Sequence, residues 1–354
     1  MTNVGNSLAS VHLRIPCKAI CQRRMHSKTT LLRSACRRPT HRASTPARPP
    51  RRHSHGRIRD LGPEIARDYA AIRDSYATPK HPIVLAHGLL GFSELSISSI
   101  LPPLQYWHGI KQALAAQGCP DVITASVPPS GSIEERAAKL AADMAAALSS
   151  SPRAAQGPIS VNIIAHSMGG LDARYLISHL QPKGGPVTVA SLTTIATPHR
   201  GSMFADYLLD EGAGPFHLPR LYRVLEKAGL GTKAFAQLTT RYMAQEFNPQ
   251  TPDDPSVRYF SYGAVSDAPS LLSPFRLSHN VIDEAEGPND GLVSVASSRW
   301  GRYEGTLVGV SHLDLINWTN KLRWMMRECI GIKRTFNAIA FYLAITDMLA
   351  REGL

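Results

Sequence analysis

The chain is poor in cysteine, has no acid in its first 59 residues, and has no long apolar run. Of its 354 residues, five are cysteine. Cys17, Cys21 and Cys36 fall in the basic N-terminal stretch, which leaves Cys119 and Cys329 for the body. A single pair in a body of this size makes no disulfide framework, and this points to a reducing compartment. Cys17 and Cys21 have no second ligand pair at zinc spacing, which argues against a zinc site. The longest apolar run near the C-terminus, Ala338 to Ile345, has eight residues. A membrane-spanning helix needs about 18–20, so no transmembrane segment is expected. Between Met1 and Ser34 there is also no apolar stretch of the roughly 7–15 residues that a secretory signal requires.

The missing acids decide what the net charge means. The chain holds 39 Lys and Arg against 27 Asp and Glu, a formal charge of +12. Taken whole, that suggests a partner of nucleic acid or anionic lipid. Residues 1–59, however, hold 14 of the bases and no acid, and Asp60 is the first carboxylate. The other 25 bases face all 27 acids, a net of −2. The body is not basic, and no nucleic-acid partner is expected. Residues 1–57 are rich in Arg, Ser, Thr, His and Pro, the composition of a mitochondrial transit peptide. A positive segment of this kind is drawn through a membrane that is negative inside. A disordered basic tail, or a nuclear signal around Arg51 and Arg52, is the competing reading. Residues 48–52, Arg-Pro-Pro-Arg-Arg, read as linker, because clustered prolines block regular structure. The expected organisation is a basic segment over 1–57 and one large domain over 58–354, with a mitochondrial location.

Within the body, strand and helix signals alternate. Short apolar runs at Pro82–Ala86, Val122–Val127, Ile159–Ala165, Val187–Ala196, Val257–Gly263 and Thr306–Val310 read as strands. Helical patterns lie at Tyr106–Gln117, from the capping box Ser132-x-x-Glu135 to about Leu148, and from Met168 to about Leu180. A last amphipathic helix is expected over Ile332–Ala350, with Phe336, Ile339, Ala340 and Leu343 on one face. This alternation predicts a parallel sheet covered on both faces. Residues 203–255 read as an inserted helical cap.

Chemistry concentrates at Val161-Asn-Ile-Ile-Ala-His-Ser-Met-Gly-Gly170. A strand runs into a serine between small residues, and a helix follows. This is the pattern G-x-S-x-G of a nucleophile elbow, with Ala165 for the first glycine. The sharp turn strains Ser167 and leaves room only for small side chains two residues to either side. The helix behind Ser167 favours negative charge developing beside it. In this arrangement an acid and then a histidine follow the serine along the chain. Five histidines do so: His179, His199, His217, His279 and His312. His312 follows the last expected strand in a loop, from which a base could reach back to Ser167. The hole that holds an oxyanion needs the N–H after the nucleophile, from Met168, and one from the loop after the first strand. His87-Gly88-Leu89 fits, with the Leu89 amide as donor. Gly229-Leu-Gly-Thr-Lys233 superficially suggests a phosphate loop, but its spacing fails.

Four blocks together resemble the lipases of the α/β-hydrolase fold, specifically the bacterial true lipases and their fungal mitochondrial triacylglycerol lipase relatives. They are Ile83-Val-Leu-Ala-His-Gly-Leu-Leu-Gly91, Ala165-His-Ser-Met-Gly-Gly170, Ala196-Thr-Pro-His-Arg-Gly-Ser202, and Asn289-Asp-Gly-Leu-Val-Ser294 with His312-Leu-Asp314. Tyr106-Trp107-x-Gly109-Ile110 also matches. The resemblance spans about residues 80–320. It implies an α/β-hydrolase fold, assigns the acid to Asp290 with Asp267 as runner-up, and makes His199 structural. It further implies a serine hydrolase of lipid esters, triacylglycerols above all, working at a membrane or lipid-droplet interface. A phospholipase, a carboxylesterase or an acyltransferase would use the same site. A catalytically silent interaction protein is the alternative outside enzymes. Bacterial members hold a calcium ion beside the histidine, and Asp314 matches one ligand. The six or more oxygens calcium wants cannot be assembled from the sequence, so neither metal nor cofactor is expected. The aromatic and aliphatic residues between Met203 and Asn248 suit either a lid over an acyl site or the ordinary core of a cap.

Overall fold

Alternate residues of the central strands sort to opposite faces of one sheet. Ile83 and Leu85 enter one buried apolar cluster, while Val84 and Ala86 enter another. Two strands share this division, since Ile164 joins the first cluster and Val161, Ile163 and Ala165 the second. A period of two is the side-chain period of a strand, and apolar residues at both parities mark a strand buried on both faces. The computed structural model describes residues 60–89, 106–182, 184–209, 232–270, 273, 275–317 and 336–354, all within one compact unit. The basic segment 1–57, residues 210–231 of the cap expected over 203–255, and the start of the expected last helix, residues 332–335, lie outside the described residues.

Among the described residues the sheet has seven strands: β1 (Glu64–Ile65), β2 (Ile83–Ala86), β3 (Val122–Thr124), β4 (Ile159–His166), β5 (Val187–Ile195), β6 (Arg258–Val265) and β7 (Arg302–Val308). Their order is β1-β7-β6-β5-β4-β2-β3, and every neighbouring pair is parallel. Helix α1 (Ile110–Ala116) and a C-terminal helix (Ala338–Arg351) cover one face through Ile110, Leu114, Phe341 and Leu349. Helices α2 (Ile133–Ser149) and α3 (Gly169–Tyr175) cover the other through Leu140, Met144, Leu148 and Ala173. The capping box forms as expected: Glu135 N–H donates to Ser132 Oγ at 3.2 Å, and Ser132 N–H donates to Glu135 Oε2 at 3.0 Å.

Three expectations need correction. Strand β1 was not anticipated; two residues are too few for a pattern. Strand β7 begins at Arg302 rather than Thr306, and its first half is polar because it runs along the exposed side of the sheet. The C-terminal helix begins at Ala338, because the Asn337 side chain accepts from Ile339 N–H and caps it there. Phe336 therefore precedes the helix. The helix is buried on most sides, not on one face, with Ala338, Ala340, Phe341, Tyr342, Leu343 and Ile345 all in the core.

The registers set the site. Ala86 pairs with Ala165, and His166 with Ile195, so β2, β4 and β5 end level at their carboxyl edge. Ligands of open parallel sheets bind at that edge.

Candidate active site

Ser167 follows β4 directly and adopts φ 55°. A non-glycine residue in the left-handed region costs roughly 1–2 kcal/mol, so the surroundings must hold it there. Its N–H donates to Ile195 O at 2.9 Å, and its carbonyl accepts from Thr197 Oγ1 at 2.7 Å. Small neighbours make the turn fit. A Cβ on Gly169 would stand 2.5 Å from Ala86 O, and one on Gly88 would stand 2.6 Å from Ser167 Cβ. The loop after β2 is thus packed against the serine, and only glycine allows it.

His312 and Asp290 come from loops beyond β7 and β6. His312 Nδ1 lies 2.7 Å from Asp290 Oδ2, with both side chains buried. Asp290 Oδ1 accepts the N–H groups of Leu292 at 3.0 Å and Val293 at 2.9 Å, so the carboxylate is fixed by the Asn289-Asp290-Gly291 turn itself. The backbone closes the same unit, since His312 N–H donates to Asp290 O at 3.0 Å. A carboxylate on Nδ1 places the ring proton there and leaves Nε2 as the basic nitrogen. The His312 ring packs 4.5 Å from the ring of His166, the residue before Ser167. The His312–Asp290 pair therefore packs against the residue that precedes Ser167, at the carboxyl edge of the sheet.

The Leu89 and Met168 amides flank this edge, and neither donates to a described backbone carbonyl. Their side chains join an apolar cluster with Ile133, Leu171, Ala234, Met243 and Phe247. Of the expected cap, the stretch Ala234–Phe247 thus packs onto Met168 and Leu171. Around them the His87 ring and carbonyl and both backbone groups of Gly88 have partners. Arg136 Nη2 donates to His87 O at 2.7 Å. Gly88 N–H donates to the Tyr106 hydroxyl at 3.0 Å. Val127 N–H donates to His87 Nε2 at 3.2 Å, so the proton of that ring sits on Nδ1 and reaches Gly88 O at 3.0 Å. Burial pulls His87 down to about 4, which keeps the ring neutral. The Tyr106 hydroxyl lies 2.6 Å from His166 Nδ1, and burial, then the neighbouring His312, holds His166 far below the ordinary imidazole range.

The other candidates take structural places. His199 sets Nε2 3.0 Å from Thr194 Oγ1 and stacks on Trp300 with centroids 5.0 Å apart. The His179 ring packs at a tilt against Tyr175, and His279 is buried in the helix Arg276–Ala285. His217 lies outside the described residues. Asp267 is exposed, and the carboxylate on His312 is that of Asp290. Asp314 Oδ2 accepts from Ser311 N–H at 3.1 Å and Oγ–H at 2.6 Å, bracing the loop that carries His312. Among the described residues no group of three or more His, Cys, Asp or Glu gathers. Asp314 holds this loop and is part of no cluster of carboxylates of the kind a calcium ion takes among those residues.

The sequence reading missed Arg136, Asp172 and the hydroxyl of Tyr106. Arg136 is wholly buried and meets the Asp172 carboxylate, with Nε 2.9 Å and Nη2 2.7 Å from Oδ2. One signal was available: Arg136 interrupts the apolar stripe Ile133, Ala137, Leu140 and Met144 of an otherwise amphipathic helix.

A strained serine at the carboxyl edge of a central parallel strand, with a later histidine–carboxylate pair packed on the residue before it, is the pattern of the α/β-hydrolases, and the solved structures agree on that fold. The Staphylococcus hyicus lipase superposes with a TM-score of 0.56 at 21% identity, covering 79% of this chain and 98% of that one. Lipase 1 from Pelosinus fermentans gives 0.55 at 19% identity, covering 77% and 99%. No protein-family model matches. Among curated proteins, triacylglycerol lipase 2 of Saccharomyces cerevisiae is 40% identical over 331 residues, covering 82% of this chain and 97% of its own length. A triacylglycerol lipase of Vibrio cholerae is 29% identical over 278 residues, covering 70% and 83%. The chain belongs to the triacylglycerol lipase family and is a carboxylic ester hydrolase.

Proposed function

We propose that the chain hydrolyses triacylglycerols through an acyl-enzyme formed on Ser167. The observation that carries this is the buried His312–Asp290 pair at 2.7 Å, beside a serine held at φ 55°. His312 Nε2 takes the hydroxyl proton as Ser167 Oγ attacks the ester carbonyl. Asp290 fixes the ring and stabilises the imidazolium. The Leu89 and Met168 amides receive the oxyanion, each donor being worth on the order of 10²–10³ in rate. His312 returns its proton to the leaving alcohol, and water then attacks the acyl-enzyme. The yeast and bacterial relatives named above are triacylglycerol lipases, and the apolar cluster around Leu89 and Met168 suits an acyl chain.

The test is labelling of the purified protein by a fluorophosphonate. Labelling is expected in the wild type and absent in Ser167→Ala. A folded wild type that resists the probe is a silent interaction protein instead. Profiling on triglycerides, phospholipids and short soluble esters then assigns the substrate, and preference for soluble esters rejects the lipase assignment. We further propose that residues 1–57 are a mitochondrial transit peptide ahead of the domain 58–354, and that the enzyme works at a lipid interface. Deleting 1–57 from a tagged protein should release it from mitochondria, and an unchanged location refutes this.

A further inference from the structure

We infer that Arg136 and Tyr106 are positioning residues for the oxyanion hole, holding one peptide group by its two opposite edges. The inference rests on the proposed role of the Leu89 amide. The peptide between His87 and Gly88 offers one carbonyl and one N–H, which point in opposite directions because the group is planar and trans. Arg136 Nη2 takes the carbonyl at 2.7 Å, and the Tyr106 hydroxyl takes the N–H at 3.0 Å. With both edges held, the plane cannot rotate. The next peptide joins Gly88 to Leu89. Its carbonyl is held by His87 Nδ1 at 3.0 Å, so its N–H, that of Leu89, is aimed the other way. Three buried side chains therefore set the direction of one amide.

What Arg136 does is hard to explain by stability alone. Its side chain and that of Asp172 are 0% and 1% exposed. A buried ion pair of this kind rarely outperforms an apolar pair of the same volume. Arg136, however, spans three pieces. It reaches Asp172 on the elbow helix α3, His87 O on the oxyanion loop, and Pro128 O at 2.8 Å beyond β3. A planar fork with several donors can do this, and a lysine cannot. Tyr106 makes a second link. The same hydroxyl that accepts from Gly88 donates to His166 Nδ1 at 2.6 Å, and His166 packs on the ring of His312. Loop, nucleophile turn and base are thereby locked to one another before substrate arrives. Donors fixed in advance, with no reorganisation during reaction, are the main source of oxyanion stabilisation.

The experiment uses the full chain and two variants, Tyr106→Phe and Arg136→Lys. Each is assayed on p-nitrophenyl butyrate and for inhibition by butylboronic acid. In the inhibitor adduct Ser167 Oγ adds to boron, its proton passes to His312, no group leaves, and a boron-bound oxygen occupies the hole. Tyr106→Phe should lower kcat by about ten-fold or more, leave KM within about two-fold, and raise the boronic acid Ki by the same factor as kcat falls. Arg136→Lys should show the same split. A packing role alone would lower the melting temperature and leave kcat and Ki in place. A folded Tyr106→Phe whose kcat and Ki stay at the wild-type values overturns the inference; should that variant not fold, Arg136→Lys is judged by the same two readings. If folded wild type does not bind butylboronic acid, the serine hydrolase reading fails, and the positioning role falls with it.

Discussion

Arg136, on α2, and Arg174, on the elbow helix α3 itself, are both buried, and they are held by different means. Arg136 meets a whole carboxylate, Asp172, which is as buried as itself. The nearest carboxylate to Arg174 is Asp253, at 3.8 Å and 38% exposed, and the Arg174 Nε has no hydrogen-bond partner. Arg174 instead lies between rings, its guanidinium 3.7 Å from the centroid of Trp300 and 5.2 Å from that of Phe247. Burial pulls Arg174 down to about 10. What they clamp differs too. Arg136 grips the loop after β2, proposed to carry the oxyanion hole, whereas Arg174 donates to Asn248 Oδ1 at 2.8 Å and Thr251 O at 3.0 Å, at the foot of the expected cap. The difference teaches that this fold neutralises a buried charge beside the chemistry and merely screens one beneath the cover.

The largest effect should come from breaking the neutral pair. Arg136→Met leaves Asp172 buried and unpaired, and is expected to cost about 3–5 kcal/mol in urea unfolding. Adding Asp172→Leu should return most of that stability without restoring kcat. If the double variant regains activity, Arg136 is only a counter-ion. Arg174→Met strands no buried carboxylate. It should cost about 1–2 kcal/mol, from lost ring contacts and two hydrogen bonds, with kcat kept within a few-fold. A loss of activity as deep as that of the Arg136 variants would erase the distinction between the two arginines.

Effects that depend on conditions follow from protons and from the surface. Burial first, then the charges of Arg174 and Arg200, keep His199 neutral far below its ordinary value. Burial does the same for His87, down to about 4. The unfolded chain takes up these protons near pH 6.5 while the folded one does not. Stability is therefore full above pH 6.5 and falls as pH drops, for His87 through pH 4, by on the order of 3 kcal/mol. The melting temperature should fall between pH 7 and pH 4.5, and His199→Gln should flatten the slope. Arg174→Met should flatten it slightly, by removing one of the charges that hold His199 neutral. A slope that neither variant changes would remove His199 from the account. Smallest of all, Glu352→Gln breaks pairs with Arg258 and Arg302 at the exposed surface. It should leave the melting temperature unchanged within error, because such pairs are screened by solvent.

The elbow was readable because its causes are local. Apolar residues at both parities made β4, small residues made the turn, and Ser132 with Glu135 marked the start of α2. Asp290 and His312 were readable from chain order joined to the family resemblance, and Asp267 could be set aside only once the pairing was seen. The start of the last helix was misplaced because its cap is a single asparagine side chain and not a break in hydrophobicity. The clamp on the oxyanion loop was unreadable for a different reason. It joins residues 87, 106, 136 and 172, and no spacing along the chain announces a meeting between a loop, a tyrosine and two helices.

The edge strand β1 has a consequence for how the molecule is made. Glu64 and Ile65 pair with Thr306 and Leu307 of β7. Nearby, Arg73 and the Ala77 N–H both donate to Asp347 of the C-terminal helix, the first across 274 residues. A segment translated early thus waits for nearly the whole chain before it can dock. Contacts this distant slow folding, and until β7 arrives the edge of β6 that it covers stays open, a template for pairing with other chains. Chaperone binding to nascent chains should therefore persist until β7 and the C-terminal helix have emerged from the ribosome.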